Sequence, residues 1–152
     1  MDTMQAKYPE LGTAQPNART ERLMHLPPAE REALTHFVSW LRQRYGDDLL
    51  SVVLFGSKAR GDFDDESDLD VLVVLRTDDY WQCWREITDL TSWLLLETGV
   101  NISALARDEA THQWWADHRA PIYNSIEQDG VDLWTKDNET LSLFALPNVA
   151  KT

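Results

Sequence analysis

The sequence predicts a single α/β domain in which short buried strands alternate with amphipathic helices. Two apolar runs, at residues 52–55 and 69–75, are short and rich in β-branched side chains, which is typical of strands inside a sheet. Apolar residues recur at helical spacing over residues 29–45 and 80–97. A chain of 152 residues is long enough for one domain to bury a substantial core.

Local signals mark the ends of the two long helices. Pro28 suits the first turn of the first helix, where its missing N–H group would have no helical partner, and Gly46 ends that helix. Thr77 or Asp78 can cap the second helix through a side-chain oxygen, and Gly99 ends it. Both predicted strands lie between these two helices.

Four shorter elements are predicted after the second helix. A third strand is expected at residues 100–106, and helices are expected at 109–119 and 122–128. Pro121 separates the two helices, because the residue before a proline disfavours helical geometry. Residues 131–134 close the domain as a strand or as an extended end.

We predict three regions along the chain. Residues 1–25 form a flexible N-terminal arm, because they mix polar, charged and proline residues without a sustained period. Residues 26–135 form the folded domain. Residues 136–152 form a C-terminal tail, although the tail carries several apolar residues that could dock on the domain.

Composition limits the partners and the compartment. Fourteen basic and twenty-six acidic residues give a net charge of −12, which disfavours direct nucleic-acid binding and contact with an anionic membrane, and suits a basic partner. Cys83 is the only cysteine, so an internal disulfide is excluded and a reducing compartment is expected. The chain shows neither a signal-peptide pattern nor an apolar run of the roughly twenty residues that a spanning helix needs, so we expect a cytoplasmic protein.

Two carboxylates interrupt the second apolar run at its start. Strand side chains alternate in direction, so Asp68 and Asp70 should point to one face of the strand while Leu69 points to the other. Two neighbouring carboxylates repel each other and stay ionised together only with a cation between them. A divalent metal with oxygen ligands is the natural candidate.

Two other interpretations of the acidic segment remain open. It can be a solvated acidic loop, since five acidic residues lie between positions 62 and 68. It can also be a calcium loop, because acidic residues stand at alternate positions. The calcium loop lacks the glycine at its sixth place and the glutamate at its twelfth, where Val73 stands.

The order of these features resembles a known family signature. A strand, the pair Gly56-Ser57, ten intervening residues, Asp68-Leu69-Asp70 and a second strand are similar to the motif of the DNA-polymerase-β-like nucleotidyltransferases. The chain resembles in particular the minimal nucleotidyltransferase group, small bacterial proteins often paired with an HEPN-domain toxin. The similarity is carried by residues 51–75, and a weaker match continues near Asn101 and over residues 121–134. It implies a small mixed β-sheet flanked by helices, the polymerase-β-like nucleotidyltransferase fold.

The resemblance also implies an activity. The chain would be a Mg²⁺-dependent enzyme that moves AMP, or another nucleoside monophosphate, from a triphosphate such as ATP to a hydroxyl group. The acceptor would be a partner protein, an HEPN-type ribonuclease toxin, with this chain as its antitoxin. Asp68 and Asp70 would be the catalytic, magnesium-binding residues.

The resemblance assigns the triphosphate to the Gly-Ser turn. Gly56 lets the backbone approach a phosphate closely, and Ser57 offers its hydroxyl and backbone N–H groups. Lys58 and Arg60 lie beside this turn and are further candidates for nucleotide binding. Alternatively, the two cations only balance the acidic residues that follow.

One position departs from the family pattern. The family has a third carboxylate on the next strand, which completes the metal site and helps to remove the proton from the nucleophile. Here Asn101 and Ser103 are expected to face the site, with Val100 and Ile102 facing the core. Asn101 can bind a metal through its amide oxygen but cannot act as a base. The alternative function is therefore a catalytically weakened binding module that neutralises its partner by contact.

Overall fold

The computed structural model describes residues 23–136 apart from 63, 65 and 66. The predicted arm up to residue 22 and the predicted tail from residue 137 lie outside the described residues. Leu23, which precedes the predicted boundary at 26, and Leu26 are both buried in the core. The described elements, in chain order, are α1 (Pro28–Tyr45), β1 (Leu49–Phe55), α2 (Ser57–Arg60), β2 (Leu69–Leu75), α3 (Tyr80–Thr98), β3 (Ile102–Asp108), α4 (Glu109–Asp117), α5 (Pro121–Asp129) and β4 (Val131–Thr135).

The four strands form one mixed sheet in the order β3-β2-β1-β4. Strand β1 pairs antiparallel with both β2 and β4, and β2 pairs parallel with β3. This sheet, flanked by helices, confirms the predicted fold class. The register places Phe55 opposite Asp70 and Asp70 opposite Ser103, so the end of β1 meets polar groups of β2 and β3 at one end of the sheet.

Helices cover both faces of the sheet. On one face, α1 and α3 pack over alternate residues of β1 and β2 to form the larger core. On the other face, α4 and α5 cover a smaller cluster that includes Val53, Leu72 and Ile126. Because strand side chains alternate, Asp68 and Asp70 belong to the face that α4 and α5 cover. Within the described part of the chain, no helix is long and apolar enough to cross a membrane.

The two long helices and β2 lie where the sequence predicts them, whereas β3 begins later than expected. The strand runs from Ile102 to Asp108 instead of over residues 100–106. Asn101 precedes the strand and still joins the sheet end, because its carbonyl oxygen accepts a hydrogen bond from the N–H of Leu69 at 3.0 Å. The third strand therefore starts level with β2.

The cap of α3 is a correction to the sequence prediction. Neither Thr77 nor Asp78 caps this helix; Asp79 does, and its Oδ1 accepts a hydrogen bond from the N–H of Gln82 at 3.2 Å. Thr77 instead holds the cap in place, because its Oγ1 accepts a hydrogen bond from the N–H of Asp79 at 3.0 Å. Adjacent polar residues compete for a cap, and backbone geometry at the turn selects between them.

We expect Asp79→Ala to lower the free energy of unfolding by about 1 kcal/mol, because one N–H group of the first turn loses its partner. The matched control is Asp78→Ala, which removes an exposed carboxylate next to the cap and should change the free energy by less than about 0.5 kcal/mol. Urea unfolding followed by circular dichroism measures both. Equal losses in the two variants would contradict the assignment of the cap.

Candidate active site

The chain makes a sharp turn at Gly56, between β1 and α2. Gly56 has φ 78° and ψ −160°, a conformation that side-chain-bearing residues rarely adopt. A Cβ atom at this position would lie 2.5 Å from Oδ2 of Asp70, closer than any real contact of that kind. The carbonyl oxygen of Gly56 accepts hydrogen bonds from the N–H groups of Ala59 and Arg60, each at 3.1 Å, which closes the turn. Only glycine lets the backbone pass this close to the carboxylate.

Asp68 and Asp70 lie at the start of β2, next to this turn. Leu69 and Val71 point to the opposite face and are buried in the larger core, which is the alternation that the sequence predicts. Asp70 is half-buried and Asp68 is exposed. The turn and the acidic pair, which are separated by ten residues in sequence, therefore form a single site.

Electrostatics at the site favour a bound cation. Burial raises the pKa of Asp70, and the neighbouring charge of Asp68 raises it further, whereas the charge of Arg60 lowers it. Burial and the charge of Asp68 thus oppose the ionisation of Asp70. Carboxylate oxygens are the donors that Mg²⁺ prefers, so the pair fits that ion. Among the described residues, no group of three or more His, Cys, Asp or Glu side chains is placed to hold a metal ion.

The amide of Asn101, which we expect to replace the third acid of the family pattern, contacts Asp68. Its Nδ2 donates a hydrogen bond to Oδ1 of Asp68 at 2.9 Å. Asn101 is exposed, and its neighbours Val100 and Ile102 are buried, as expected. Ser103 is also exposed and lies opposite Asp70 in the strand register. The third position therefore supplies an amide that steadies Asp68 and no carboxylate that could accept a proton.

Lys58 is buried beneath the turn. Its ammonium lies 3.0 Å from both carboxylate oxygens of Glu30, on the first turn of α1, and the residue is only 1% exposed. Its carbonyl oxygen is 2.6 Å from Nε2 of His25. These contacts tie α2 to α1 and to the segment before it. Nucleotide binding by Lys58 stays a prediction, and the observed ion pair gives its side chain a structural role.

Arg60 lies at the site with its side chain exposed. Its Nε donates to Oδ2 of Asp62 at 3.1 Å, and one of its terminal nitrogens lies 3.8 Å from Oδ2 of Asp129 at the end of α5. The hydrogen bond to Asp62, followed by the charges of Asp62, Asp129 and Asp70, raises the pKa of the guanidinium. Arg60 thus balances acidic residues, and its exposed guanidinium also faces the field of Asp70.

Sequence reasoning missed Glu30 and Asp129. The sequence patterns assign neither residue a role at the site. Each residue lies far along the chain from the cation that it contacts, at positions that no local pattern distinguishes. Knowledge of the tertiary fold was needed to find either pair.

We expect Asp70→Asn to raise the free energy of unfolding at pH 7 in the presence of a chelator. The pKa of Asp70 is raised in the folded protein. Ionisation of this carboxyl group therefore destabilises the folded state, and the destabilisation grows as pH rises towards the folded pKa. The gain should shrink as pH falls through the unfolded pKa and vanish below about pH 3, where the carboxyl group is protonated in both states. Urea unfolding at several pH values measures it, with Asp78→Asn as an exposed control. A gain that persists at low pH would contradict the electrostatic cause.

Comparison with known proteins agrees with this geometry. A family model described as "Nucleotidyltransferase domain" matches residues 35–111, a range that contains the turn, the acidic pair and Asn101. Two proteins of Methanocaldococcus jannaschii are similar in sequence, and each is named "Putative protein adenylyltransferase". The first is 38% identical over 94 residues, which cover 59% of this chain and 88% of that protein. The second is 35% identical over 74 residues, which cover 47% of this chain and 50% of that protein.

One solved structure, a toxin–antitoxin with AMP-PNP, aligns with a TM-score of 0.43 at 18% identity, covering 70% of this chain and 78% of that chain. The assignment of the family depends on the sequence matches and not on this alignment. The family model spans half of the chain, and the first archaeal relative is covered over most of its length. The chain is a nucleotidyltransferase and belongs to the nucleotidyltransferase domain family.

Proposed function

We propose that this nucleotidyltransferase uses Mg²⁺ and transfers AMP, or another nucleoside monophosphate, from a triphosphate to a hydroxyl group of a partner protein. The observation that carries the proposal is the close approach of Gly56 to the carboxylate of Asp70. This approach joins the turn suited to phosphates and the acids suited to a metal. The name of the archaeal relatives supports AMP as the transferred group and a protein as the acceptor.

Each residue of the site has a chemical part in this reaction. Asp68 and Asp70 hold Mg²⁺ through their carboxylate oxygens. The ion, when bound, neutralises charge on the triphosphate and on the departing pyrophosphate. Gly56 lets the backbone approach the phosphates, Ser57 offers its hydroxyl and N–H groups, and Arg60 offers a guanidinium to a phosphate oxygen.

The transfer itself exchanges one phosphorus–oxygen bond for another. The acceptor hydroxyl oxygen attacks the α-phosphorus, and the bond from that phosphorus to the bridging oxygen breaks. Pyrophosphate leaves with the electron pair of the broken bond. Because Asn101 cannot take the hydroxyl proton, the proton passes to water or to a basic group of the acceptor.

The acceptor that we propose is an HEPN-type ribonuclease toxin, with this chain as its antitoxin. The support is the similarity of residues 51–75 to the minimal nucleotidyltransferases. The described residues form one sheet with helices on both faces, and a separate apolar cluster lies on each face.

We expect Asp70→Asn and Asp68→Asn each to lower the transfer of labelled AMP by at least about 100-fold, because each removes a charged metal ligand. The assay combines the full chain, Mg²⁺, ATP labelled in the α-phosphate and the product of the adjacent gene, and it follows label on that product. A chelator should have the same effect as the substitutions. The control is Asp78→Asn, at the opposite end of β2. Equal labelling by wild type and Asp70→Asn would contradict the proposal.

A second function is favoured by the contact between Asn101 and Asp68. The residue in the third position is an amide, which donates to Asp68 and cannot act as a base. A chain of this kind can neutralise its partner by binding alone. The acidic composition, with a net charge of −12, suits such contact with a basic protein.

Protection of cells from the partner protein distinguishes neutralisation by AMP transfer from neutralisation by contact. We expect Asp70→Ala to lose protection against the co-expressed partner, because neutralisation by transfer needs the metal ligand. Colony counts after induction of the partner measure protection, and immunoblots check that the variant accumulates to the wild-type level. Full protection by Asp70→Ala would instead establish that contact is sufficient.

A further inference from the structure

Of the four residues of helix α2, only Lys58 is buried. A helix turns by about 100° per residue, so the side chains of Lys58 and Arg60 leave α2 in nearly opposite directions. Arg60 is exposed and pairs with Asp62, whereas the side chain of Lys58 enters the protein. The ammonium of Lys58 therefore lies on the side of α2 opposite the guanidinium that we propose for phosphate binding.

Glu30, on the first turn of α1, binds this ammonium inside the protein. Both of its carboxylate oxygens lie 3.0 Å from Nζ of Lys58, and its side chain is 20% exposed. Hydrogen bonds between two charged groups are shorter and stronger than neutral ones. Helix α1 is itself held in place, because Leu34 and Phe37 are fully buried in the larger core. Glu30 thus attaches α2 to a fixed part of the core.

The backbone of Lys58 is held as well as its side chain. Its carbonyl oxygen lies 2.6 Å from Nε2 of His25, and since a carbonyl oxygen only accepts, that nitrogen carries the hydrogen. His25 stands between Leu23 and Leu26, which are both buried in the larger core. Residue 58 is therefore contacted at two points by residues that lie 28 and 33 positions away in the sequence.

The Gly56 turn crosses the end of the sheet between two carboxylates. Asp70 lies against Gly56 on the face that α4 and α5 cover, and Glu30 lies on the opposite face, which α1 covers. Ser57, whose hydroxyl and N–H groups we propose for phosphate binding, stands between Gly56 and Lys58 in the chain. A shift of Lys58 would therefore move the phosphate-binding groups relative to the acidic pair.

Stability alone does not account for the pair of Lys58 and Glu30. Removal of an ammonium and a carboxylate from water costs free energy that their attraction only partly offsets, and apolar side chains of similar volume are often at least as stable in such a place. An ion pair differs from an apolar contact in its direction, because its hydrogen bonds form only within a narrow range of distances and angles. The pair is therefore suited to fixing one arrangement of the turn.

We propose that Glu30 is a positioning residue for the triphosphate: through Lys58, it holds Ser57 in the orientation that binds the phosphates beside the acidic pair. The proposal rests on the proposed function, since it takes the Gly56 turn as the triphosphate site. It assigns Lys58 an indirect part in nucleotide binding, in place of a direct contact with phosphate.

The test measures nucleotide binding without transfer. The full chain is titrated by isothermal calorimetry with Mg²⁺ and an ATP analogue that has a methylene group between the α- and β-phosphorus atoms, so that pyrophosphate cannot leave. We expect Glu30→Gln to raise the Kd of the analogue at least about fivefold, because a neutral amide holds the ammonium less firmly. The matched control is Glu32→Gln, an exposed acid two residues further along α1, which should change the Kd less than about twofold.

A second variant separates positioning from stability. The double variant Glu30→Leu, Lys58→Met replaces the ion pair with apolar side chains of similar size. We expect its Tm to be unchanged or higher, and its Kd for the analogue to rise at least about fivefold. A merely structural pair would affect the Tm and leave the Kd as in the wild type. The double variant also tests the inference if Glu30→Gln proves unstable.

Three outcomes would overturn the inference. An unchanged Kd in Glu30→Gln or in the double variant would show that Glu30 does not position the triphosphate. A lower Kd in Glu30→Gln would show that the released ammonium of Lys58 binds the triphosphate directly. Absence of analogue binding by the wild type would contradict the proposed function as well. Label transfer is scored separately: its absence with analogue binding intact contradicts the proposed function and leaves the role of Glu30 standing.

Discussion

The site depends on one steric constraint, the missing side chain at Gly56. The pairing of Phe55 with Asp70 fixes the end of β1 beside the start of β2, so the residue after Phe55 must pass the carboxylate at close range. Any Cβ atom there would force the two strands apart or turn Asp70 away. The same register decides which face the acids occupy, because a slip of one residue would move them into the core. The pairing of β1 with β2 therefore also determines the geometry of the active site.

Polar and charged side chains surround the two carboxylates Asp68 and Asp70, which repel each other. Burial and the charge of Asp68 raise the pKa of Asp70, the charge of Arg60 lowers it, and the amide of Asn101 donates a hydrogen bond to Asp68. Lys58 beneath the turn has a different role, since a buried ammonium is tolerated only when it is paired. Lys58 thus stabilises the turn from the protein interior, whereas Arg60 lies on the solvent-exposed side of the site.

Local patterns were sufficient to predict most of the fold. The helices α1 and α3, strand β2 and the shared face of the acids follow from periodicity and alternation, which depend only on neighbouring residues. The pairs that complete the site join residues 28 and 69 positions apart, which only the tertiary fold brings together. The choice of Asp79 as the cap of α3 likewise depended on backbone angles and not on residue type, because three adjacent residues were chemically suitable.

The amide at residue 101 changes which groups can move the proton in the proposed reaction. An amide cannot accept the hydroxyl proton, so residue 101 leaves that step to water or to a basic group of the acceptor. The amide instead donates to Oδ1 of Asp68 at 2.9 Å, which orients that carboxylate beside Asp70. In the proposed reaction residue 101 therefore positions a metal ligand and takes no part in proton transfer.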